Sequence, residues 1–145
     1  MSDLKDLYQE LILDHNKNPK NFGHLDKPKN ISEGYNPLCG DHYFIELNIQ
    51  KNLIFDIRFN GSGCALSKAS ASLMTEAVKG QNMTYIKNLI SDMQSLITGE
   101  REEIDNTKLK VFKNIQNYPI RAKCVSLAWH TLKSALNNNK IASTE

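Results

Sequence analysis

Two runs of alternating apolar residues, joined by only two residues, constrain the fold of this 145-residue chain most strongly. The runs span residues 43–50 and 53–60, and the joining dipeptide is Lys51-Asn52. Side chains of a β-strand alternate between two faces, so each run predicts a strand with one buried face. Asparagine tolerates the positive φ of a tight turn, and the pair therefore predicts a β-hairpin. In the second strand, we expect the buried face to consist of Leu53, Phe55, Ile57 and Phe59.

The rest of the chain predicts one further strand and several helices. An isolated hairpin is marginally stable in water, and segment 31–36 is the best candidate for a third strand. Periodicity and helix-forming residues predict helices at 3–16, 65–79, 84–98 with Thr84 as N-cap, and from Pro119 onward. The charged stretch 100–117 predicts at most one short helix. The expected fold is α/β (α+β), a small antiparallel three-stranded sheet with helices packed on it.

Length and composition bound the class of protein. We expect a single domain over residues 1–145, with 138–145 as a frayed polar tail. The 18 Lys+Arg and 16 Asp+Glu residues give a net charge of +2 without a basic stripe, so no nucleic-acid partner is expected. No apolar run approaches the length of a membrane span, so no membrane partner is expected. The acidic N-terminus does not resemble a secretory signal, and we expect a cytoplasmic protein with reduced thiols.

The three cysteines are the candidate functional residues, since an odd number cannot pair fully within one chain. Cys39 lies between Pro37 and Gly40, where a turn and not a core segment is expected. In an extended segment, side chains two positions apart point the same way, so the Cys39 thiol and the Asp41 carboxylate can converge. His42 alternates away from them and is a second-choice ligand.

Cys64 and Cys124 sit near the starts of predicted helices. Cys64 follows Gly61-Ser62-Gly63 where a strand meets a helix, and the free N–H groups there favour a thiolate. Cys124 lies on an apolar helix face and alone would be a core residue. Its neighbours Arg121 and Lys123 would also favour a thiolate.

The hairpin runs out and back, so it brings Cys39, Asp41 and Cys64 to the same end of the sheet. If the last helix begins there, Cys124 completes a site of three sulfurs and one oxygen. Such a set suits tetrahedral zinc, and thiolates also suit iron in a cluster. The remaining alternative is three unrelated core cysteines. The other histidines do not suggest a simpler site: we expect His15 and His24 at the surface and His130 facing away from Cys124.

Four stretches of the chain, in order, carry a family pattern: 7–21 with Leu13-Asp14-His15, 36–41 with Cys39-Gly40-Asp41, 61–72 around Cys64, and 121–129 around Cys124. Together they resemble the U-type iron–sulfur cluster assembly proteins (the IscU/NifU-like family), and the SufU branch most closely. The likeness extends from about residue 4 to 136. In the IscU branch a histidine precedes the third cysteine, whereas this chain has Lys123. The charged stretch 100–117 is similar to an insertion that marks the SufU branch.

The resemblance implies that Cys39, Asp41, Cys64 and Cys124 form a metal site that holds zinc, or alternatively iron or an iron–sulfur cluster. It implies a zinc-dependent sulfur acceptor, a sulfurtransferase-like partner of a SufS-type cysteine desulfurase, which passes sulfur to downstream cluster-assembly proteins. Cys39 would accept the persulfide sulfur, and Arg121 would help the desulfurase to dock or the metal site to open. The alternatives are a scaffold on which a cluster is built and a structural zinc module that only binds partners.

Overall fold

The structure, a computed structural model, describes residues 9–143. Its elements are α1 (Glu10–Lys17), β1 (Asn30–Asn36), β2 (Asp41–Gln50), β3 (Leu53–Ser62), α2 (Ala65–Val78), α3 (Met83–Thr98), α4 (Pro119–Leu136) and β4 (Ile141–Ser143). Two short 3-10 helices, Leu109–Phe112 and Ile115–Asn117, connect α3 to α4. The first part of the helix predicted for 3–16 lies outside the described residues. Within residues 9–143, no helix combines the length and apolar character needed to cross a membrane.

The predicted hairpin and third strand are confirmed. Strands β1, β2 and β3 pair antiparallel in sequence order. Lys51 and Asn52 form the turn between β2 and β3 with φ of 50° and 63°. Two consecutive positive φ values are the signature of a type I′ turn, whose twist matches that of the flanking strands.

The sheet has four strands and not three, in the order β3-β2-β1-β4. β4 lies within the tail that the sequence analysis expects to be frayed, and it pairs parallel with β1, Ile141 opposite Glu33. The Glu33 N–H donates to the Lys140 carbonyl at 2.7 Å. The free edge of β1 thus supplies the hydrogen-bond partners of β4. The sequence of a short polar tail has no periodicity that would predict this strand.

The expected buried face of β3 is wrong at its first half. Ile57 and Phe59 are fully buried, but Leu53 and Phe55 are 38% and 60% exposed, and Ile54 is buried instead. The register shifts between Asn48 and Ile49, where β3 carries one extra residue. A β-bulge of this kind moves the preceding residues to the opposite face of the sheet.

Helices α2 and α4 pack together on one face of the sheet, and α1 and α3 flank them. The predicted apolar face of α3 is confirmed as buried: Ile86, Leu89, Ile90, Met93, Leu96 and Ile97. The N-cap of α3 is Asn82 and not Thr84, because the Asn82 side chain accepts a hydrogen bond from the Tyr85 N–H at 2.8 Å. Gly99 ends the helix in the left-handed conformation.

His15 is buried, contrary to the expectation of a surface residue. Its Nδ1 lies 2.6 Å from the Ser72 hydroxyl, and this contact joins α1 to α2. His15 falls on the inner face of α1, and a polar partner on the neighbouring helix allows the imidazole to be buried there. The side chain of His24 is 73% exposed, as expected.

Candidate metal centre

Cys39 lies on the turn that connects β1 to β2. Asn36 and Asp41 form the last pair of the β1–β2 ladder, so residues 37–40 make the turn. Gly40 adopts a φ of 70°, which lets the chain reverse directly after Cys39. Cys39 is half-buried, and the adjacent Leu38 is 60% exposed. The thiol therefore belongs to a segment that an approaching protein can reach.

Asp41 begins β2, and its carboxylate is fully buried. Its Oδ2 accepts a hydrogen bond from the Asn36 side-chain amide at 3.0 Å. Its Oδ1 accepts from the backbone N–H of Cys64 at 2.9 Å, which ties the starts of β2 and α2 together. Among residues 9–143, no lysine or arginine forms an ion pair with Asp41. Two neutral donors thus hold the buried Asp41 carboxylate, which is a suitable ligand for a cation.

Cys64 is the N-cap of α2. Its thiol lies 3.7 Å from the hydroxyl of Ser67, which lies 3.1 Å from the Tyr43 hydroxyl. A hydrogen bond from the Cys124 thiol lowers the pKa of Cys64 to about 6, and the Ser67 N–H at the helix start adds to this effect. The sequence analysis predicts this direction.

Cys124 lies in the second turn of α4 and is fully buried. Its Sγ is 3.1 Å from the Sγ of Cys39, and both cysteines are free thiols. Donation to Cys64 and burial raise the pKa of Cys124. The expectation that Arg121 and Lys123 favour a thiolate at this position is therefore wrong for the metal-free thiols.

The structure brings together three of the four residues that the sequence indicates as ligands. One ligand atom from each of Cys39, Asp41 and Cys124 lies within 4.8 Å of the other two. The Cys64 thiol is outside this tight group, although the backbone N–H of Cys64 donates to the Asp41 carboxylate at 2.9 Å. Two thiols and a carboxylate, with the thiol of Cys64 as a fourth candidate, are donors that suit zinc and also iron.

Gly61 and Gly63 allow the close approach of β3 to the site. A Cβ atom on Gly63 would lie 2.5 Å from the Ser67 Oγ and 2.6 Å from the Asp41 Oδ1. A Cβ on Gly61 would lie 2.1 Å from the His42 carbonyl oxygen. Glycine at both positions is therefore required by sterics, and the Gly-Ser-Gly-Cys stretch is a packing motif as well as a turn.

The other candidates lie around the site. Arg121 is half-buried on the first turn of α4, and no hydrogen bond or ion pair joins it to any residue among 9–143. Lys123 is exposed and lines a cavity between α3 and α4. His42 contacts the Glu33 carboxylate on the outer side of the sheet, and His130 is exposed.

Asn36 was missed by the sequence analysis. Its amide is fully buried and lies 3.8 Å from the Cys124 Sγ in addition to its bond with Asp41. The available signal was the strand alternation from residue 32, which places Asn36 on the inward face at the strand's end. A buried amide beside a cysteine turn is a candidate for positioning the ligands.

Comparison with known proteins finds relatives over nearly the whole chain. The family model of the NifU-like N-terminal domain matches residues 7–144. The chain is 42% identical to the iron–sulfur cluster assembly scaffold protein IscU of Thermotoga maritima over 91% of this chain and 94% of the relative. It is 31% identical to the zinc-dependent sulfurtransferase SufU of Bacillus subtilis over 93% of this chain and 92% of the relative.

A solved structure with similar architecture comes from Fervidobacterium islandicum AW-1. Its name is "putative iron-sulfur cluster assembly scaffold protein for SUF system (FiSufU)". The two structures superpose with a TM-score of 0.83 at 31% identity, covering 92% of this chain and 99% of that one.

Proposed function

Because this chain belongs to the NifU-like N-terminal domain family of iron–sulfur cluster assembly proteins, we propose that it is a zinc-dependent sulfur acceptor. The donor is a SufS-type cysteine desulfurase, and the sulfur continues to downstream cluster-assembly proteins. The observation that carries the proposal is the placement of the Cys39 thiol on a turn, 3.1 Å from the buried Cys124 thiol. The setting is the cytoplasm, where free thiols stay reduced.

The metal ligands in this proposal are Cys39, Asp41, Cys64 and Cys124. Zinc bound by them would keep the cysteines as thiolates. Three features support this ligand set: the convergence of three ligand atoms within 4.8 Å, the hydrogen bond from the Cys64 backbone N–H to the Asp41 carboxylate, and the burial of Asp41. The chain's zinc-dependent relative in Bacillus subtilis adds support for the choice of metal.

Cys39 is the acceptor. Its thiolate attacks the outer sulfur of a persulfide on the desulfurase cysteine. A new sulfur–sulfur bond forms on Cys39 while the persulfide bond of the donor breaks and the donor cysteine leaves as a thiolate. The exchange needs no added oxidant or reductant, because one sulfur–sulfur bond replaces another. Cys124 is buried and cannot meet a partner directly, whereas Cys39 is half-buried beside the exposed Leu38.

Arg121 is proposed to help the desulfurase dock. Arg121 is on the first turn of α4, three residues before Cys124, and no hydrogen bond or ion pair joins it to residues 9–143. A planar cation without an ion pair among these residues can pair with a carboxylate of an incoming protein.

Single substitutions test the acceptor assignment. The chain is incubated with a cysteine desulfurase and free cysteine, and intact mass is recorded together with bound zinc. We expect wild type to gain the mass of one sulfur atom, and Cys39→Ala to gain none. Cys64→Ser and Cys124→Ser are the matched controls. Each removes another of the proposed zinc-binding thiols and so weakens zinc binding, but keeps the Cys39 thiol. Normal sulfur uptake by Cys39→Ala that retains zinc would refute the assignment.

A cluster scaffold is the second candidate function, favoured by the 42% identity to the IscU scaffold protein of Thermotoga maritima. Anaerobic purification with metal analysis separates the two functions. About one tightly bound zinc per chain favours sulfur transfer, whereas a cluster that can be reconstituted and passed to an apo-acceptor favours the scaffold.

A further inference from the structure

A groove lies between α3 and α4, on the side of α4 away from the candidate metal centre. It consists of two adjoining cavities of about 470 and 300 Å³, which share Ile90, Gln94 and Lys133 as walls. Lys133 is nine residues after Cys124, which at 3.6 residues per turn places it roughly half a turn round the helix. We call this feature the α3–α4 groove; no proposed metal ligand lines it.

The groove is long. At one end it is lined by Ile97 and Pro119, and at the other by Lys87 and Asn137, so α3 and α4 run antiparallel along it. Lys123 and Lys133 are ten residues apart on α4, which corresponds to about 15 Å along the helix axis. A single small anion cannot meet both lysines, whereas an elongated ligand can.

The charge of the groove is one-sided. Three exposed lysines, Lys87, Lys123 and Lys133, line its walls. Among residues 9–143, no aspartate or glutamate lines either cavity. The whole chain has nearly balanced charges, with 18 basic and 16 acidic residues. A local stretch of cations without acids complements an anionic partner.

The walls also contain apolar surface and two unpaired polar atoms. Pro119, Ala122 and Leu136 are apolar wall residues that are exposed or half-buried. Trp129, which is 3% exposed, lines the larger cavity, and its indole N–H has no hydrogen-bond partner among the described residues. The Oε1 of Gln116, another wall residue, also lacks a donor. Unsatisfied buried polar atoms are rare in folded proteins.

We propose that the α3–α4 groove binds an acidic amphipathic segment of a partner protein. Apolar side chains of the segment pack on Pro119, Ala122 and Leu136, and acidic side chains along its flanks meet the three lysines. The distance between the lysines favours a peptide over a small anion as the ligand. The absence of acidic residues from these walls favours a negatively charged ligand. The proposal does not depend on the metal centre or on sulfur transfer, since the groove is on the opposite side of α4.

Trp129 is the only tryptophan of the chain, so it reports on the groove directly. The probe is a synthetic peptide of about 15 residues, which as a helix spans about 22 Å. It has leucines on one face and glutamates on the flanks. The full chain is titrated with it while Trp129 fluorescence and the indole N–H resonance are recorded. We expect saturable changes that weaken as salt is raised. A peptide with lysine in place of each glutamate should cause none.

A charge-reversal variant and a matched control locate the site. Lys133→Glu should weaken binding of the acidic peptide by about tenfold. Lys51→Glu, an exposed turn lysine on the hairpin, should leave it within about twofold. Far-UV circular dichroism checks that both variants are folded.

Three results would overturn the proposal. The first is an indole signal that neither peptide changes, or that both change alike. The second is an indole signal that depends on protein concentration with dimers in sedimentation, which would assign the groove to a second copy of this chain. The third is binding to anionic lipid vesicles without binding to the acidic peptide.

Discussion

Asn36 holds one oxygen of the Asp41 carboxylate, and this hydrogen bond is buried. Removing the amide in Asn36→Ala leaves that oxygen without this donor, so the carboxylate keeps the Cys64 N–H but loses one of the two contacts that fix its orientation. Partners that orient metal ligands typically contribute about 10- to 100-fold in metal affinity. We expect a loss of that size, measured by competition with a zinc chelator of known affinity.

Asn48 is a matched control for this prediction. Its side chain accepts a hydrogen bond from the backbone N–H of Lys29, near the far end of β2. Asn48→Ala should leave zinc affinity unchanged. Equal affinities for wild type and Asn36→Ala would show that the amide does not position Asp41 for the metal.

His15 makes the stability of the fold depend on pH. Burial lowers the pKa of His15 below its ordinary value of 6.5, although Glu76 nearby opposes the shift. The unfolded chain therefore binds this proton at a higher pH than the folded chain does. The contribution is complete above pH 6.5 and is lost as the pH falls below it.

Denaturant titrations from about pH 7.5 to 5 check this expectation. The free energy of unfolding should fall as the solution is acidified, and His15→Gln should reduce that fall. An unchanged pH dependence in His15→Gln would contradict the assignment to His15.

The contact between β1 and α4 depends on Gly34. A Cβ atom there would lie 1.9 Å from the Thr131 Oγ1 and 3.2 Å from the Leu127 Cδ1. We expect Gly34→Ala to destabilise the fold by about 1–3 kcal/mol, because overpacking forces the helix away from the strand. Thermal unfolding measures the change.

A double-mutant cycle distinguishes a clash of the new methyl group from the effect of replacing glycine by the less flexible alanine backbone. Thr131→Ala removes the atom closest to the new methyl group, so the double variant should be more stable than the two single effects added together. Additive effects would mean that the alanine methyl does not meet Thr131.

Elements with strong local patterns were predictable from the sequence. The hairpin is encoded by alternation and a turn dipeptide, and the start of α4 is encoded by Pro119. The bulge at Asn48 was not predictable from local patterns, since it is a property of the pairing between two strands. β4 was missed because its three residues gain their partners only from the edge of β1.

The site was predictable in part. The topology of a hairpin was enough to bring Asp41 and Cys64 to one end. The position of Cys124 required knowing where α4 packs, which local patterns do not contain, and the family resemblance supplied it. Asn36 escaped notice because its role depends on burial that a single polar residue does not reveal.

The apolar core is extensive, and we therefore expect the fold to persist without a metal. Fully buried residues from the sheet and from α2 to α4 pack against each other, among them Ile45, Phe59, Leu73 and Trp129. We expect chelation of zinc to leave the far-UV circular dichroism unchanged and to lower the melting temperature by roughly 5–10 °C through lost ligand binding.

This measurement also tests the structural zinc module. A domain held together by its metal unfolds when the metal is removed. Loss of helical signal on chelation would favour the structural zinc module. A retained signal would favour a zinc ion that takes part in sulfur transfer.

The order of the proposed ligands along the chain has a consequence for biosynthesis. Cys39, Asp41 and Cys64 flank one hairpin, whereas Cys124 follows only after α3 and the charged connection have been made. A domain generally folds as a unit once its chain has been synthesised. With the proposed ligand set, a nascent chain would carry an incomplete set of donors until α4 has been made. Metal acquisition would then be reserved for molecules whose translation has passed that helix.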